Sequence, residues 1–271
     1  MEEGKAVAVG ILGCGAIGSL LARLLSRKGT RLYVAALWDR NEWKARALAE
    51  SLPSRPLVVP LPEMAGICDI LVEAASQEGA LEVARVAALH KKPAVILSVG
   101  AALTHPEILE LARDGARLHF PSGAIAGLDA VKAAKEGGLR SVSLTTRKPP
   151  RALEGAPFVV ERGIDLSAIS EPTMLYEGPA REAVRLFPQN VNVAAALSLA
   201  GLGPDRTTVR IVADPSLDRN VHEIRLEGDF GKVEIRVENV PCPDNPKTSM
   251  LAALSALALV EQLAESVRVG T

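Results

Sequence analysis

Three glycines near the start of the chain constrain its fold more than any other feature. Gly13, Gly15 and Gly18 stand at G-x-G-x-x-G spacing in Gly13-Cys14-Gly15-Ala16-Ile17-Gly18. Ahead of them, Ala6 to Leu12 is a short apolar run without charge, the pattern of a strand buried on both faces of a parallel sheet. Behind them, Ser19 to Lys28 continues at helical period with Leu20, Leu21, Leu24 and Leu25. The three glycines serve different physical ends. Gly13 makes the tight turn, Gly15 lets a pyrophosphate approach the backbone, and Gly18 lets helix and strand pack closely. The helix N-terminus offers that pyrophosphate unpaired N–H groups and a partial positive charge. A second strand, Arg31 to Trp38, ends in Asp39, about 20 residues past the loop, where an acid is expected to bind ribose hydroxyls. Gly13, Gly15, Ala16, Ile17, Gly18, Asp39 and Arg40 are therefore the candidate dinucleotide contacts. Asp39 favours the two free hydroxyls of NAD and repels a 2′-phosphate, whereas Arg40 can stack on adenine or attract that phosphate. NAD is the expected coenzyme, with NADP left open.

Beyond Asp39 the pattern keeps alternating. Glu42 to Ser51 reads as a helix, followed by a proline-rich connection through Pro53, Pro56, Pro60 and Pro62. Asp69 to Ala74 and Pro93 to Val99 read as buried strands, with a helix from Glu78 to His90 between them. Thr104 and Glu107 have the spacing of a capping box, and Ala116 to Phe120 makes one more strand. Such alternation implies a Rossmann-type, doubly wound parallel sheet.

The character changes at Pro121. Gly123 to Glu136 is expected to be a helix and Ser141 to Thr146 a strand; Ala180 to Phe187 and Val191 to Ala200 follow as short helices. Thr207 to Ala213, Val221 to Glu227 and Lys232 to Val237 then alternate at period two, separated by Asp214-Pro215 and Gly228-Asp229. That pattern describes a second α+β domain on a mainly antiparallel sheet with one buried face. From Pro246 the chain reads as a long apolar helix that docks back on the first domain. The expected division is residues 1–120 plus 246–271 for dinucleotide binding and 121–245 for catalysis and dimerisation.

Composition excludes several classes. The 271 residues have room for two moderate domains, and a net charge of −1 with 3% aromatic residues offers nothing to nucleic acid. No targeting segment precedes the first strand, and Met250 to Val260 is too short to span a bilayer. Cys14, Cys68 and Cys242 are scattered without metal-ligand spacing, so no metal site is expected and reduced thiols in the cytoplasm are the simplest account.

Nicotinamide chemistry needs an acid/base group, and histidine is the commonest. His90 closes a helix and His105 sits in a turn, both ordinary structural places, while His119 lies near a strand end. In Asn220-Val221-His222-Glu223-Ile224, alternation turns His222 inward with Ile224 and Leu226. Spacing alone fits a hydrogen-bonded core histidine as well as a base. For a substrate's carboxylates, Lys247, Thr248 and Ser249 in Asn245-Pro246-Lys247-Thr248-Ser249 are the first candidates, with Arg147 and Lys148 behind them. A solvated lysine and a capping threonine explain the same motif.

Together with the glycine loop, the stretches Pro121 to Ala130, Phe187 to Ala195, Asn220 to Ile224 and Asn245 to Ser249 resemble the L-aspartate dehydrogenase family in order and spacing. The resemblance implies an NAD(P)-dependent enzyme interconverting L-aspartate with iminoaspartate, or oxaloacetate and ammonia, feeding NAD biosynthesis and working as a homodimer. It also implies that His222 is the active-site residue and that Ala124 and Asn190 contact the coenzyme. From the residues alone, Asn190 is equally a helix cap and Ala124 equally a packing residue. Two other readings stay open: a reductase of dihydrodipicolinate reductase or homoserine dehydrogenase type, and a non-catalytic dinucleotide sensor with an apolar patch on its second sheet.

Overall fold

In the computed structural model, Val7–Leu12 forms β1, an almost wholly buried strand at the centre of a parallel sheet. The structure describes residues 6–27, 31–188, 192–242 and 245–270. Two compact units divide the chain: Met1–Pro121 with Ala252–Val269, and Ser122–Leu251 with Gly270–Thr271.

In the first unit β1 is followed by α1 (Ala16–Leu25), β2 (Leu32–Trp38), α2 (Glu42–Ser51), β3 (Leu57–Val58) and α3 (Leu61–Ile67). Then come β4 (Ile70–Glu73), α4 (Gln77–His90), β5 (Ala94–Ile96), α5 (Ala101–Thr104), α6 (Glu107–Arg113) and β6 (Leu118–His119). The strands pair in parallel in the order β3-β2-β1-β4-β5-β6. That is the doubly wound order whose switch point lies outside the C-terminal ends of β1 and β4. The proline-rich connection is more ordered than its composition suggests: it holds β3 and α3, with Pro62 in the first turn where a missing N–H is harmless. The expected capping box does not form. Thr104 closes α5, and its hydroxyl donates to Gln77 Oε1 at 2.7 Å, while α6 starts after Pro106 without a side-chain cap.

The second unit begins with α7 (Leu128–Glu136) and β7 (Leu139–Lys148), then α8 (Pro157–Glu161), β8 (Thr173–Pro179), α9 (Ala180–Leu186) and α10 (Asn192–Ala200). It continues with β9 (Thr207–Ala213), β10 (Asn220–Gly228), β11 (Gly231–Asn239), β12 (Pro241–Cys242) and β13 (Asn245–Ser249). The five-stranded sheet runs β11-β10-β7-β9-β8 and is antiparallel except for the β7–β9 pair. Helix α7 starts later than the period suggests because Gly123 and Gly127 take φ of +67° and +79°, outside helical space. Strand β8 carries no period-two signal and is not expected from sequence. The last helix, α11 (Met250–Ala264), also starts late, since Asn245–Ser249 is strand. Its Ala256 and Val260 enter the first unit's core with Val9, Ile11, Leu21 and Val34.

Candidate functional site

The first unit places the glycine loop between β1 and α1. Gly13 has φ of +103°, and a Cβ there would strike the backbone of Ala74. A Cβ on Gly18 would run into the carbonyl of Gly13, whereas Gly15 faces open space. Ala16 and Ile17 form the first turn of α1, whose N-cap, Gly15, makes no side-chain bond to the helix amides. These are the features a pyrophosphate needs: bare backbone, a helix N-terminus and room. A cavity of about 240 Å³ opens here, lined among others by Gly13, Gly15, Asp39, Arg40, Lys44 and Ser76. The residues present fit a dinucleotide.

The Asp39 carboxylate accepts the Cys14 N–H at 2.7 Å and the Asn41 N–H at 2.8 Å, one on each oxygen. A second lone pair on each oxygen remains for hydroxyl donors. Lys44, in the first turn of α2, adds a cation beside Asp39 and Arg40 that no sequence signal singles out. The Cys14 thiol is pushed up to about 12 by burial and then by Asp39, and burial with Asp69 holds Cys68 at about 11, so both stay protonated and unreactive.

Glu73, fully buried at the end of β4, carries no sequence signal of its role either. Its carboxylate accepts the N–H of Ala75 at 2.7 Å, the N–H of Ser98 at 2.9 Å and the Ser98 hydroxyl at 2.8 Å. Burial raises its pKa and these donors oppose the rise. The effect is to tie together the loops after β4 and β5. His119, the last residue of β6, is half-buried, and burial followed by Arg117 and Arg268 lowers its pKa.

In the second unit, β10 turns His222, Ile224 and Leu226 to the covered side. His222 is 2% exposed, and its Nδ1 lies 3.1 Å from the hydroxyl of the fully buried Thr146 on β7, its partner in the register. Burial, and then the charge of Lys148, lowers the imidazole to about 3, so the ring is neutral at physiological pH. Two residues back along β10, Asn220 donates to Ser249 Oγ at 3.5 Å and pairs in register with Asn239 of β11. Asn239 donates from Nδ2 to the carbonyl of Ala124 at 3.0 Å, and its buried Oδ1 has no hydrogen-bond partner among the described residues. Ala124 is thereby tied to the strand pair that carries His222.

Of the remaining candidates, Thr248 and Ser249 lie at the end of β13, directly ahead of α11. Asn190 and the side chain of Lys247 lie outside the described residues. Sequence reasoning misses Thr146 and Asn239, although the alternation Val142, Leu144, Thr146, Lys148 would have brought Thr146 onto the inward face of β7.

The opposite face of this sheet is charged. Arg147 pairs with Glu223 at 3.1 Å, Arg210 with Glu177 at 2.7 Å and Arg225 with Glu227 at 2.7 Å, and Arg236 bridges Glu223 and Glu238. An apolar patch there, expected of a partner-binding sensor, is replaced by an ion-pair lattice. Among the described residues no three metal-ligating side chains come together, and no helix is long and apolar enough to cross a membrane.

Two family models match the chain. Residues 13–121 match the family model described as the NAD-binding domain of homoserine dehydrogenase, and residues 129–263 match the one described as aspartate dehydrogenase, C-terminal. The L-aspartate dehydrogenase of Methanocella arvoryzae is 47% identical over 268 residues, covering 97% of this chain and 99% of that one. Its counterpart from Methanosarcina mazei is 46% identical over 269 residues, with the same coverage. Among solved structures, aspartate dehydrogenase from Thermotoga maritima superposes with a TM-score of 0.74 at 28% identity, covering 97% of this chain and 99% of that chain.

Proposed function

The chain belongs to the L-aspartate dehydrogenase family, and from that premise we propose that it oxidises L-aspartate with NAD(P), reversibly, to iminoaspartate and then oxaloacetate and ammonia. The observation that carries the reading is a match running through both units, including the one that holds His222. The family model described for homoserine dehydrogenase, by contrast, matches residues 13–121 alone.

Bound at the glycine loop, the coenzyme supplies the acceptor for the hydride on the aspartate α-carbon. The rest of the chemistry is proton handling by the chain. An α-ammonium must lose a proton before its carbon can become an imine, and water adding to that imine must lose another. His222 is the residue for both transfers. The contact between Nδ1 and the Thr146 hydroxyl fixes the ring, and in the tautomer whose Nδ1–H donates to Thr146 Oγ1 the Nε2 atom is left as the acceptor. Its neutral state in the free protein is the form a base requires.

Asp39 selects NAD through the ribose hydroxyls, while Arg40 and Lys44 give a 2′-phosphate enough counter-charge for NADP to be accepted. A cytoplasmic homodimer completes the reading, and light scattering of the purified protein tests its size. The activity is tested by mixing the protein with L-aspartate and each coenzyme and following reduced cofactor. Absence of turnover with both, and with oxaloacetate and ammonia in reverse, rejects it.

A further inference from the structure

The covered face of the second sheet changes character along its length. Inward side chains on β7 run Val142, Leu144, Thr146, Lys148, and those on β10 run Leu226, Ile224, His222, Asn220. Both strands therefore pass from hydrocarbon to polar groups at the same end. The register sets His222 opposite Thr146 and Val221 opposite Arg147, so one further step brings Asn220 opposite Lys148. Lys148 is thus on the diagonal from His222. Diagonal neighbours on paired strands are about 7–8 Å apart at the backbone, a gap that a lysine side chain spans.

Lys148 is 3% exposed and, among the described residues, is the only buried lysine or arginine. A cation is thereby placed on the same covered face as His222 and Thr146.

We propose that the Lys148 ammonium holds a carboxylate of the substrate beside His222. The assignment rests on the aspartate dehydrogenase reading above. A dicarboxylate needs a cation, and this one is fixed by the sheet instead of a loop. Burial draws the amine down to about 8, which leaves it mostly protonated at neutral pH, and an adjacent carboxylate strengthens that charge. The same carboxylate offsets the charge that Lys148 exerts on the imidazole, so the ring becomes a better proton acceptor once substrate is seated. In the same corner, Asn239 Oδ1 is a buried acceptor without a donor among the described residues, and the substrate ammonium is a donor of the required kind.

The test uses the full-length protein with saturating coenzyme, comparing wild type with Lys148→Met and Lys148→Arg. Truncating one partner of a buried charge pair predicts that Lys148→Met raises the KM for L-aspartate by about thirtyfold or more, with the NADH dissociation constant unchanged. Lys148→Arg keeps the charge and recovers most of that loss, which also answers for folding should the methionine variant be unstable. L-asparagine identifies the carboxylate: an equal loss on both substrates assigns the α-carboxylate, and a loss on aspartate alone assigns the side-chain carboxylate. Either outcome supports the proposal. A KM within threefold of wild type in a folded Lys148→Met protein, or a fall in kcat alone that arginine does not rescue, overturns it. If wild type itself fails to turn over L-aspartate, the parent reading has failed, and the variants do not bear on that.

Discussion

Each unit buries a titratable cluster near the end of a sheet strand, and the two clusters are completed differently. In the first unit the Glu73 carboxylate is saturated: Ala75 and Ser98 supply three donors, and the result is two loops tied to one strand. In the second, His222 makes one bond with Thr146 at Nδ1, and nearby Asn239 keeps an acceptor that nothing in the described chain fills. The outer surfaces differ as well. The first sheet is apolar on its central strands, with β1, β4 and β5 almost wholly buried, while the second is apolar on one face and an arginine–glutamate lattice on the other. A satisfied buried charge holds a scaffold, whereas an incompletely satisfied polar corner is where a ligand's own groups complete the bonding.

The largest expected effect falls on the incomplete cluster. His222→Ala should cut turnover of L-aspartate at least about a hundredfold and leave coenzyme affinity nearly intact, as removal of a general base does. Full activity in that variant would make His222 a core residue like Glu73 and erase the contrast. The next effect belongs to the first unit: Gly18→Ala drives a methyl into the Gly13 carbonyl and should weaken coenzyme binding by more than about tenfold, a step of roughly 1.4 kcal/mol. Titration of intrinsic fluorescence with NADH reads it, and unaltered affinity would show that the loop can open without penalty.

Glu73→Ala should act on stability instead. It strands the amides of Ala75 and Ser98, and chemical denaturation should register a loss of roughly 2 kcal/mol, with Glu73→Gln keeping one acceptor and losing less. A loss confined to coenzyme binding would move Glu73 from scaffold to site.

The smallest effect separates the clusters by pH. The folded-state pKa of His222 is depressed from 6.5 to about 3, so in that window the unfolded chain binds a proton that the folded chain refuses. Its contribution to stability is complete above pH 6.5 and falls as pH drops, by about 1 kcal/mol between pH 6.5 and 5.5. Glu73, whose pKa is raised, has the opposite sign: its contribution is present below its ordinary value of 4.5 and fades as pH rises. Denaturation midpoints measured across that range should lose the first slope in His222→Asn and keep it in Glu73→Gln.

Much of this is legible in one dimension because the signals are local. A glycine loop between an apolar strand and a helix, an acid after the second strand, and the inward phase of His222 each depend only on chain geometry over a few residues. Where local signals compete, boundaries shift. Positive φ at Gly123 and Gly127 delays α7, and Asn245–Ser249 pairs with β12 as a strand although it precedes a long apolar helix. Strand β8, which lacks alternation, is invisible along the chain, because its place is set by pairing with β9.

The sequence by itself determined that a dinucleotide loop exists, that a second sheet follows it, and which way His222 points. Tertiary structure alone decided who its neighbours are. Thr146 lies 76 residues from His222 in the chain, and Asn239 lies 115 from Ala124, yet strand register and packing bring each pair within a hydrogen bond. Register is a relation between distant segments, fixed when whole faces are buried at once, and no window along the chain contains it.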